Sequence, residues 1–454
     1  MRKAQRGTIL LSLFLAAVTV LALTSGVLAD KNRAGSLDVE GTALDNGMKI
    51  YLAPRGEVPI VTFEAMIVAG TMDEPADKAG LSFAVGELLN RGTASYTAQE
   101  LANTLDNLGA DLSVNADYDY TTVTLSILSK DSEKGLEMLR EVLDHATFAD
   151  EEVERKRSEV AAYLEQLKDN YVDVVRKDFY RLIYGEHPYY RPQQGTEESV
   201  AAMTPKDLRD FYSTYFVPNN ISISAVGQFD PKEMAGLLRS AFGDWKSGDI
   251  PPRTPPPMPE PRWQVETIQR DVTQATIRMG QIGLARNHPD YTKARLMNYI
   301  LGGSGFGSRL MANLREDRGL TYGVYSNFWP RKDKGYFFAS TQAINDSMNV
   351  AIREILKEIK LLQDKGVTAD ELKWAKMYYT GNMPLQLQSN DQLAHLVLEQ
   401  QFYGLENEFW LKEIEEMQTM TREDLQQAAK DLITPEKFTI VVLANFETMA
   451  LDYK

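Results

Sequence analysis

The chain has 454 residues, contains no cysteine and carries a formal net charge of −15 at neutral pH. The lack of cysteine excludes disulfides, thiol catalysis and thiolate metal ligands. The acidic excess argues against nucleic-acid binding, because that function depends on basic patches. A chain of this length predicts two or more domains.

The first 29 residues have the pattern of a secretory signal. A basic start is followed by an apolar stretch over residues 9–23, and Ala29 fits the small residue of a cleavage site. The apolar stretch is short for a membrane span, which needs about 20 residues, although an uncleaved anchor is the alternative interpretation. We therefore expect an exported protein with no membrane span after cleavage. A cysteine-free exported chain suits a bacterial periplasm.

The pattern of the first half predicts alternating strands and helices. Residues 41–52 predict a hairpin that turns at Asn46-Gly47, residues 60–69 alternate like a half-buried strand, and residues 77–90 have the period of an amphipathic helix. A strand pair is predicted at residues 110–128 and a closing strand at residues 221–226. Helical periodicity predicts further helices at residues 97–108, 132–143, 150–166, 172–184 and 204–215.

The middle of the chain is rich in proline. Residues 247–261 contain seven prolines, so this segment cannot build a helix or an inner strand. We interpret it as an extended linker between two domains, at residues 37–246 and 262–451.

The two halves resemble each other. Met203-Thr204-x-x-Asp207-Leu208 recurs 217 residues later as Met420-Thr421-x-x-Asp424-Leu425, and a strand ending at Phe229 recurs at the same offset, ending at Phe446. Two matches at one offset indicate a duplication. Strand runs followed by helix runs favour an α+β fold with mainly antiparallel sheets.

Residues 301–326 carry the most informative pattern. A glycine cluster precedes a predicted short helix at residues 308–317, and a turn then leads into a strand predicted from Leu320. This order places Arg315 and Tyr322 on either side of one helix-to-strand turn. A cation and a phenol in that arrangement could grip a peptide carbonyl or a developing oxyanion. The alternative interpretation is an ordinary surface arginine and a half-buried tyrosine of a sheet.

This segment, LGGSGFGSRLMANLREDRGLTYGVYS, resembles the C-terminal half of the insulinase/pitrilysin peptidases of family M16. The resemblance extends over residues 37–451 and implies two similar α+β domains that face each other across a chamber. In the family, an arginine and a tyrosine seven residues apart bind the substrate backbone near the metal. Arg315 and Tyr322 have that spacing.

Active members of the family carry His-x-x-Glu-His on a helix, where two histidines bind zinc and the glutamate polarises a water molecule. Here the surrounding frame is intact, but Phe83 and Glu87 stand at the two histidine positions, and Gly86 stands at the glutamate position. Glu87 alone is a single weak ligand, and a solvated helix residue is the simpler interpretation. We therefore expect no metal and no catalytic residues on this chain, and zinc only on a partner subunit.

These observations leave three hypotheses. The first is a non-catalytic, substrate-binding subunit that works with an active M16 zinc peptidase on a peptide or an unfolded protein. The second is a structural or assembly protein of the same fold, and the third is a stand-alone peptide-binding protein. The presence of both Arg315 and Tyr322 favours the first hypothesis over the second.

Overall fold

The computed structural model describes residues 36–56, 58–447 and 450–452. The predicted signal at residues 1–29 lies outside the described residues. In the described ranges, no helix combines the length and the apolar composition that crossing a membrane requires.

The first half forms a six-stranded sheet in the order β1-β2-β6-β3-β5-β4. Strands β2 and β6 are parallel, and the other neighbouring strands are antiparallel. The predicted hairpin joins β1 to β2, and Gly47 adopts there a φ of 87°, a value that glycine tolerates best. The strands are β1 (Glu40–Ala43), β2 (Lys49–Pro54), β3 (Ile60–Ile67), β4 (Asp111–Ala116), β5 (Thr121–Leu128) and β6 (Ile221–Gly227).

The helices of the first half largely follow the sequence pattern. Helix α1 is shorter than the predicted 77–90, because Gly80 has a φ of 93° and a Cβ there would lie 2.8 Å from the backbone of Gln194. The helices are α1 (Leu81–Leu88), α2 (Ala98–Leu108), α3 (Ser132–Asp144), α4 (Asp150–Leu167), α5 (Tyr171–Tyr184), α6 (Glu197–Ala202), α7 (Pro205–Tyr215) and α8 (Pro231–Phe242).

The second half forms a five-stranded sheet in the order β7-β11-β8-β10-β9. Its strands are β7 (Gln264–Gln269), β8 (Gln274–Ile282), β9 (Val324–Trp329), β10 (Tyr336–Ile344) and β11 (Thr439–Ala444). Its helices are α9 (Tyr291–Asn298), α10 (Met348–Lys365), α11 (Ala369–Gln386), α12 (Asn390–Tyr403), α13 (Phe409–Thr419) and α14 (Arg422–Leu432).

The two sheets share one strand order. In sequence order, β7, β8, β9, β10 and β11 take the places of β2, β3, β4, β5 and β6, and β7 and β11 form the parallel pair. The repeated Met-Thr-x-x-Asp-Leu segment is a capping box in both halves, where Thr204 and Thr421 cap α7 and α14. The predicted α+β fold with two helix-packed sheets is confirmed. The domain limits at residues 37–246 and 262–451 stay a prediction.

The proline-rich segment runs along the first half without regular secondary structure. Its Arg253 donates two hydrogen bonds to the Asp73 carboxylate, at 2.7 and 2.6 Å, and a third to the carbonyl of Asp119. The carboxylate of Asp73 is almost fully buried. The segment is therefore fastened to the first half soon after it begins.

Each sheet is covered on one face by a helix of the other half. Helix α5 packs against β8 and β11, where Phe179 and Ile183 join an apolar cluster with Phe338 and Val441. Helix α12 packs in return against β3 and β6. Each fully buried side chain of this size stabilises the folded state by about 1.5–3 kcal/mol. The packing of α5 on the second sheet and of α12 on the first therefore holds the halves together.

Polar contacts fix the position of α12 on the sheet of the first half. The imidazole of His395 on α12 lies 2.8 Å from the carboxylate of Glu64 on β3, and Asp391 accepts hydrogen bonds from Thr62 and Ser126. Burial disfavours the imidazolium form of His395. The hydrogen bond and charge of Glu64, with more distant carboxylates, outweigh burial and raise the pKa of His395.

We expect His395→Gln to lower the free energy of unfolding more at pH 6 than at pH 9. Because the pKa of His395 is raised in the folded protein, its stabilisation is fully present below the unfolded pKa and is lost as the pH rises through the folded pKa. Denaturant unfolding of wild type and variant at both pH values measures this difference. His288→Gln, outside this interface, is the control. A difference between wild type and His395→Gln that does not change with pH would contradict the prediction.

Candidate functional site

The glycine-rich segment after α9 lies against strand β9. A Cβ at Gly302 would lie 2.4 Å from the hydroxyl of Ser326 and 2.6 Å from its backbone nitrogen, so only glycine fits. Asn298 donates its side-chain amide to the Ser326 carbonyl at 2.9 Å, and the Ser326 hydroxyl donates back at 2.7 Å. Close approach and a two-way hydrogen bond therefore hold this segment on the edge strand of the sheet.

The predicted helix at residues 308–317 is present but widens into a π-helical turn over Met311–Asp317. Arg309 fastens it through two hydrogen bonds to Glu371, at 2.6 and 2.7 Å. The guanidinium of Arg315 lies 4.3 Å from the ring centroid of Phe306, whose side chain is 66% exposed. A cation–π contact at an exposed site is worth about 0.5–1 kcal/mol. It orients the guanidinium and leaves its N–H groups available.

The turn after this helix is closed by backbone hydrogen bonds. Gly319 has a φ of 63°, its N–H donates to the Arg315 carbonyl at 3.1 Å, and the N–H of Leu320 donates to the Leu314 carbonyl at 2.8 Å. These are the bonds of a glycine-terminated helix. The helix therefore ends at a defined place.

Strand β9 begins at Val324, four residues later than the sequence predicts. The Thr321 hydroxyl accepts the N–H of Gly323 at 3.0 Å and donates to the Gln342 carbonyl, which replaces ladder pairing at this point. The side chain of Tyr322 between them is 90% exposed. Its backbone is thus held in place while its phenol stands in solvent.

The structure places Arg315 and Tyr322 at the two ends of this turn, as the sequence predicts. In the described part of the chain, no hydrogen bond joins the two side chains. Arg315 contacts Phe306, and Tyr322 projects freely. Their joint role in binding a substrate stays a prediction.

The positions of the zinc motif hold a different arrangement. Glu87 on α1 pairs with the ammonium of Lys156 on α4 at 3.0 Å, and Lys156 also pairs with Glu159 at 2.9 Å. Burial disfavours the ammonium form, but these two carboxylates outweigh it and raise the pKa of Lys156. The ammonium of Lys156 therefore lies beside Glu87, which carries the one carboxylate at the three motif positions.

The residues at this place do not fit a zinc ion. Phe83 supplies no donor atom, and Gly86 is buried with space for a Cβ only 3.3 Å from that of Ala116. Among the described residues, no group of three or more histidine, aspartate or glutamate side chains is arranged to hold a metal. The charged Lys156 would repel a cation at Glu87.

Glu74 is a positioning residue that the sequence analysis missed. Its buried carboxylate accepts hydrogen bonds from the N–H groups of Gly80 and Ser82 and from the Ser82 hydroxyl, at 3.2, 2.8 and 2.7 Å. It therefore caps the start of α1 from outside the helix. Burial, opposed by these hydrogen bonds, raises the pKa of Glu74 to about 8. Its six-residue distance from Gly80 is not a capping-box spacing, so no local signal marks it.

A cavity of about 650 Å³ lies between the two halves. Helices α4 and α5 line one side, and β8, β9 and β10 line the other. A second cavity of about 460 Å³ adjoins it and extends toward Gly302. The two share Tyr325, Trp329 and Phe338. Strand alternation places Tyr325 and Trp329 on the face opposite the buried Val324 and Phe328, and this alternation is visible in the sequence.

Together these elements form a long cleft that begins between the halves and extends toward the glycine-rich segment, and its walls carry both aromatic and charged side chains. Apolar and aromatic surface beside fixed polar groups is typical of sites that bind organic ligands or peptide side chains. The cleft has the volume for a short stretch of peptide.

We expect Glu87→Ala to lower the free energy of unfolding by no more than about 1 kcal/mol, because its pair with Lys156 is partly exposed. Metal analysis of wild type and variant at neutral pH should find less than stoichiometric zinc in both. Asp210→Ala, which removes an exposed pair with Lys206, is the matched control for stability. One equivalent of zinc in the wild type that disappears in Glu87→Ala would show that Glu87 is a ligand after all.

Comparison with known proteins agrees with this geometry. The family model described as insulinase, peptidase family M16, matches residues 54–197. The model described as the peptidase M16 inactive domain matches residues 202–379. The two matches are consecutive and together cover most of the chain.

Curated relatives include proteins from several bacteria. An uncharacterized zinc protease, YmxG, from Bacillus subtilis is 26% identical over 346 residues, which cover 76% of this chain and 84% of the relative. An uncharacterized zinc protease, ML0855, from Mycobacterium leprae is 27% identical over 380 residues, covering 83% and 85%.

Solved structures give the same result. A peptidase M16 inactive domain from Pseudomonas fluorescens superposes with a TM-score of 0.84 at 26% identity, covering 90% of this chain and 98% of that one. A protease from Helicobacter pylori gives a TM-score of 0.83 at 20% identity, covering 90% and 100%. The periplasmic protease PqqL from Escherichia coli gives 0.71 at 18% identity, covering 92% of this chain and 49% of that one.

The resemblance drawn from the sequence is therefore confirmed. The two family models, the relatives and the solved structures all point to one family, while the motif positions read Phe83, Gly86 and Glu87. The chain belongs to peptidase family M16, as a member that lacks the His-x-x-Glu-His zinc motif.

Proposed function

We propose that the chain is the non-catalytic, substrate-binding subunit of a heterodimeric M16 zinc peptidase. One observation carries the proposal. The turn between Arg315 and Tyr322 presents an oriented cation and a free phenol, while Lys156 and Glu87 form an ion pair at the zinc-motif position. The chain thus has groups suited to binding a substrate, while the residues that the structure describes offer no ligand set for the metal. A partner subunit would supply the zinc that activates water.

The chemistry assigned to Arg315 and Tyr322 follows from charge. When water attacks a peptide carbonyl, the oxygen becomes negatively charged in the transition state. Arg315 would contribute a positive charge near that oxygen, and the Tyr322 hydroxyl would donate a hydrogen bond to it. Donors held in place before the reaction stabilise the transition state more than the ground state. The hydrogen-bonded turn provides that fixed placement.

The substrate would be a peptide or an unfolded protein. The cleft supports this proposal, because Tyr325 and Trp329 offer rings to the apolar side chains of a peptide.

A stand-alone peptide-binding protein is the second candidate. The cavity of about 650 Å³ favours it, since groups from both halves of this one chain line that cavity. Peptide binding without any partner would support this candidate, and hydrolysis that requires a zinc subunit would support the first.

We also propose that the protein acts outside the cytoplasm. The support is the signal pattern in residues 1–29 and the likeness to a periplasmic protease in fold. Sequencing the N-terminus of the protein purified from its host tests this point, and a start near Asp30 is the expected result.

We expect Arg315→Ala and Tyr322→Phe each to lower kcat of the reconstituted pair by about 10²–10³-fold, because each removes one donor to the developing charge. The zinc subunit is obtained by purifying the chain with its bound partner, and hydrolysis of a fluorescent casein derivative measures the rate. Size-exclusion chromatography should show that both variants still assemble.

Arg318→Ala is the matched control. Arg318 lies one turn from Arg315, but it pairs with Glu354 at 3.0 Å and serves the fold. It should leave kcat within about twofold of wild type. Full activity of both Arg315→Ala and Tyr322→Phe would refute the substrate-binding role and leave the scaffold hypothesis.

A further inference from the structure

Arg278 is a buried cation without a counter-ion. Its side chain comes from the middle of β8, where it pairs in register with Ser340 and Val441, and only 3% of its surface is exposed. In the described part of the chain, no carboxylate lies within ion-pair distance of it and none of its N–H groups donates a hydrogen bond. Its Nε is buried without a partner. Charged groups are rarely buried in this way.

Aromatic rings surround the guanidinium. It lies 3.7 Å from the ring centroid of Phe338, and the rings of Phe179, Tyr180 and Tyr336 lie at 5.3–5.8 Å. Cation–π contacts offset part of the cost of burying this charge. They supply no oxygen acceptor for the N–H groups of the guanidinium.

The unpaired guanidinium opens onto the large cavity. Arg278 lines the cavity of about 650 Å³ between the halves. Two other arginines that line the cavity have partners within the chain: Arg331 pairs with Asp117 at 3.0 Å, and Arg176 pairs with Asp173 at 2.5 Å. Arg278 differs from them because its charge is directed at space that a ligand can enter.

We infer that Arg278 is the anchor of a carboxylate-binding subsite in this cavity. A carboxylate matches the fork of donors on a guanidinium and forms two parallel charge-assisted hydrogen bonds with it. The aromatic rings hold the fork in place and exclude water, which strengthens these bonds. The ligand is a peptide segment that carries a carboxylate next to apolar or aromatic side chains.

This subsite rests on the proposed peptide-binding function and adds a substrate class to it. The carboxylate has two sources, the C-terminus of a peptide or an acidic side chain, and both have the same chemistry. Either one would fix the position of a peptide along the cleft, since one end would be held at Arg278.

The test uses the purified full chain and three synthetic peptides in isothermal titration calorimetry. The first is acetyl-Phe-Ala-Phe-Ala with a free C-terminal carboxylate, the second is its C-terminal amide, and the third is acetyl-Phe-Glu-Phe-Ala amide. We expect at least one carboxylate peptide to bind about tenfold or more tightly than the neutral amide, which is the usual effect of a hydrogen-bonded charge. The better of the two identifies the source.

Variants separate binding from packing. Arg278→Met should lower the affinity of the carboxylate peptides to that of the amide, and Arg278→Lys should lose part of the preference, because it keeps the charge without the fork. Arg270→Met, at the exposed position that follows β7, should behave as wild type. The Tm of Arg278→Met should equal or exceed that of wild type, since an unpaired buried charge is replaced by an apolar side chain of similar length.

Equal affinity for all three peptides, or a preference that survives in both Arg278 variants, would overturn the subsite and leave peptide binding itself intact. Absence of binding by every peptide would also overturn it. The activity of the reconstituted pair with Arg315 and Tyr322 variants still decides the proposed function separately.

Discussion

Each half of this protein covers only one face of its sheet with its own helices, and the remaining face must be buried by the other half. Phe179 on α5 and Leu398 on α12 are inserted in opposite directions across the same interface. A sheet face exposed to water would leave several large apolar side chains unburied. The two halves therefore depend on each other for stability, and the cavity between them lies beside the first turns of α5.

That arrangement explains how one strand serves both the core and the candidate site. On β9, Val324 and Phe328 face the helices of their own half, while Tyr325 and Trp329 face the cavity. The glycine-rich segment approaches the same strand closely enough that Gly302 cannot carry a side chain. Packing of the core on one face thus fixes the position of the aromatic groups on the other.

The sequence predicts the parts of this structure that depend on short-range patterns. The Asn46-Gly47 hairpin and the capping boxes at Thr204 and Thr421 form where they are expected, because their partners lie within a few residues. The repeat at a constant offset also predicts two similar sheets, and the strand orders agree with it.

Distant contacts decide what the sequence does not predict. Strand β9 starts late because Thr321 bonds to Gln342 on a neighbouring strand. Two further contacts join residues far apart in the chain. Glu87 pairs with Lys156, and Arg278 lies among aromatic rings from both halves. No spacing rule encodes these contacts, since they follow from how the two halves pack.

The anchored linker sets a limit on how far the halves can move apart. Because Arg253 is held by Asp73, the connection between the halves is the stretch from there to the start of β7 at Gln264, and its Met258 packs against the apolar cluster around Phe179. An extended proline-rich chain spans roughly 3 Å per residue and bends little, so its reach is about 30 Å. Any opening of the cleft must then be a rotation about a short, stiff hinge, with the side remote from the linker opening widest. A long peptide would enter from that side.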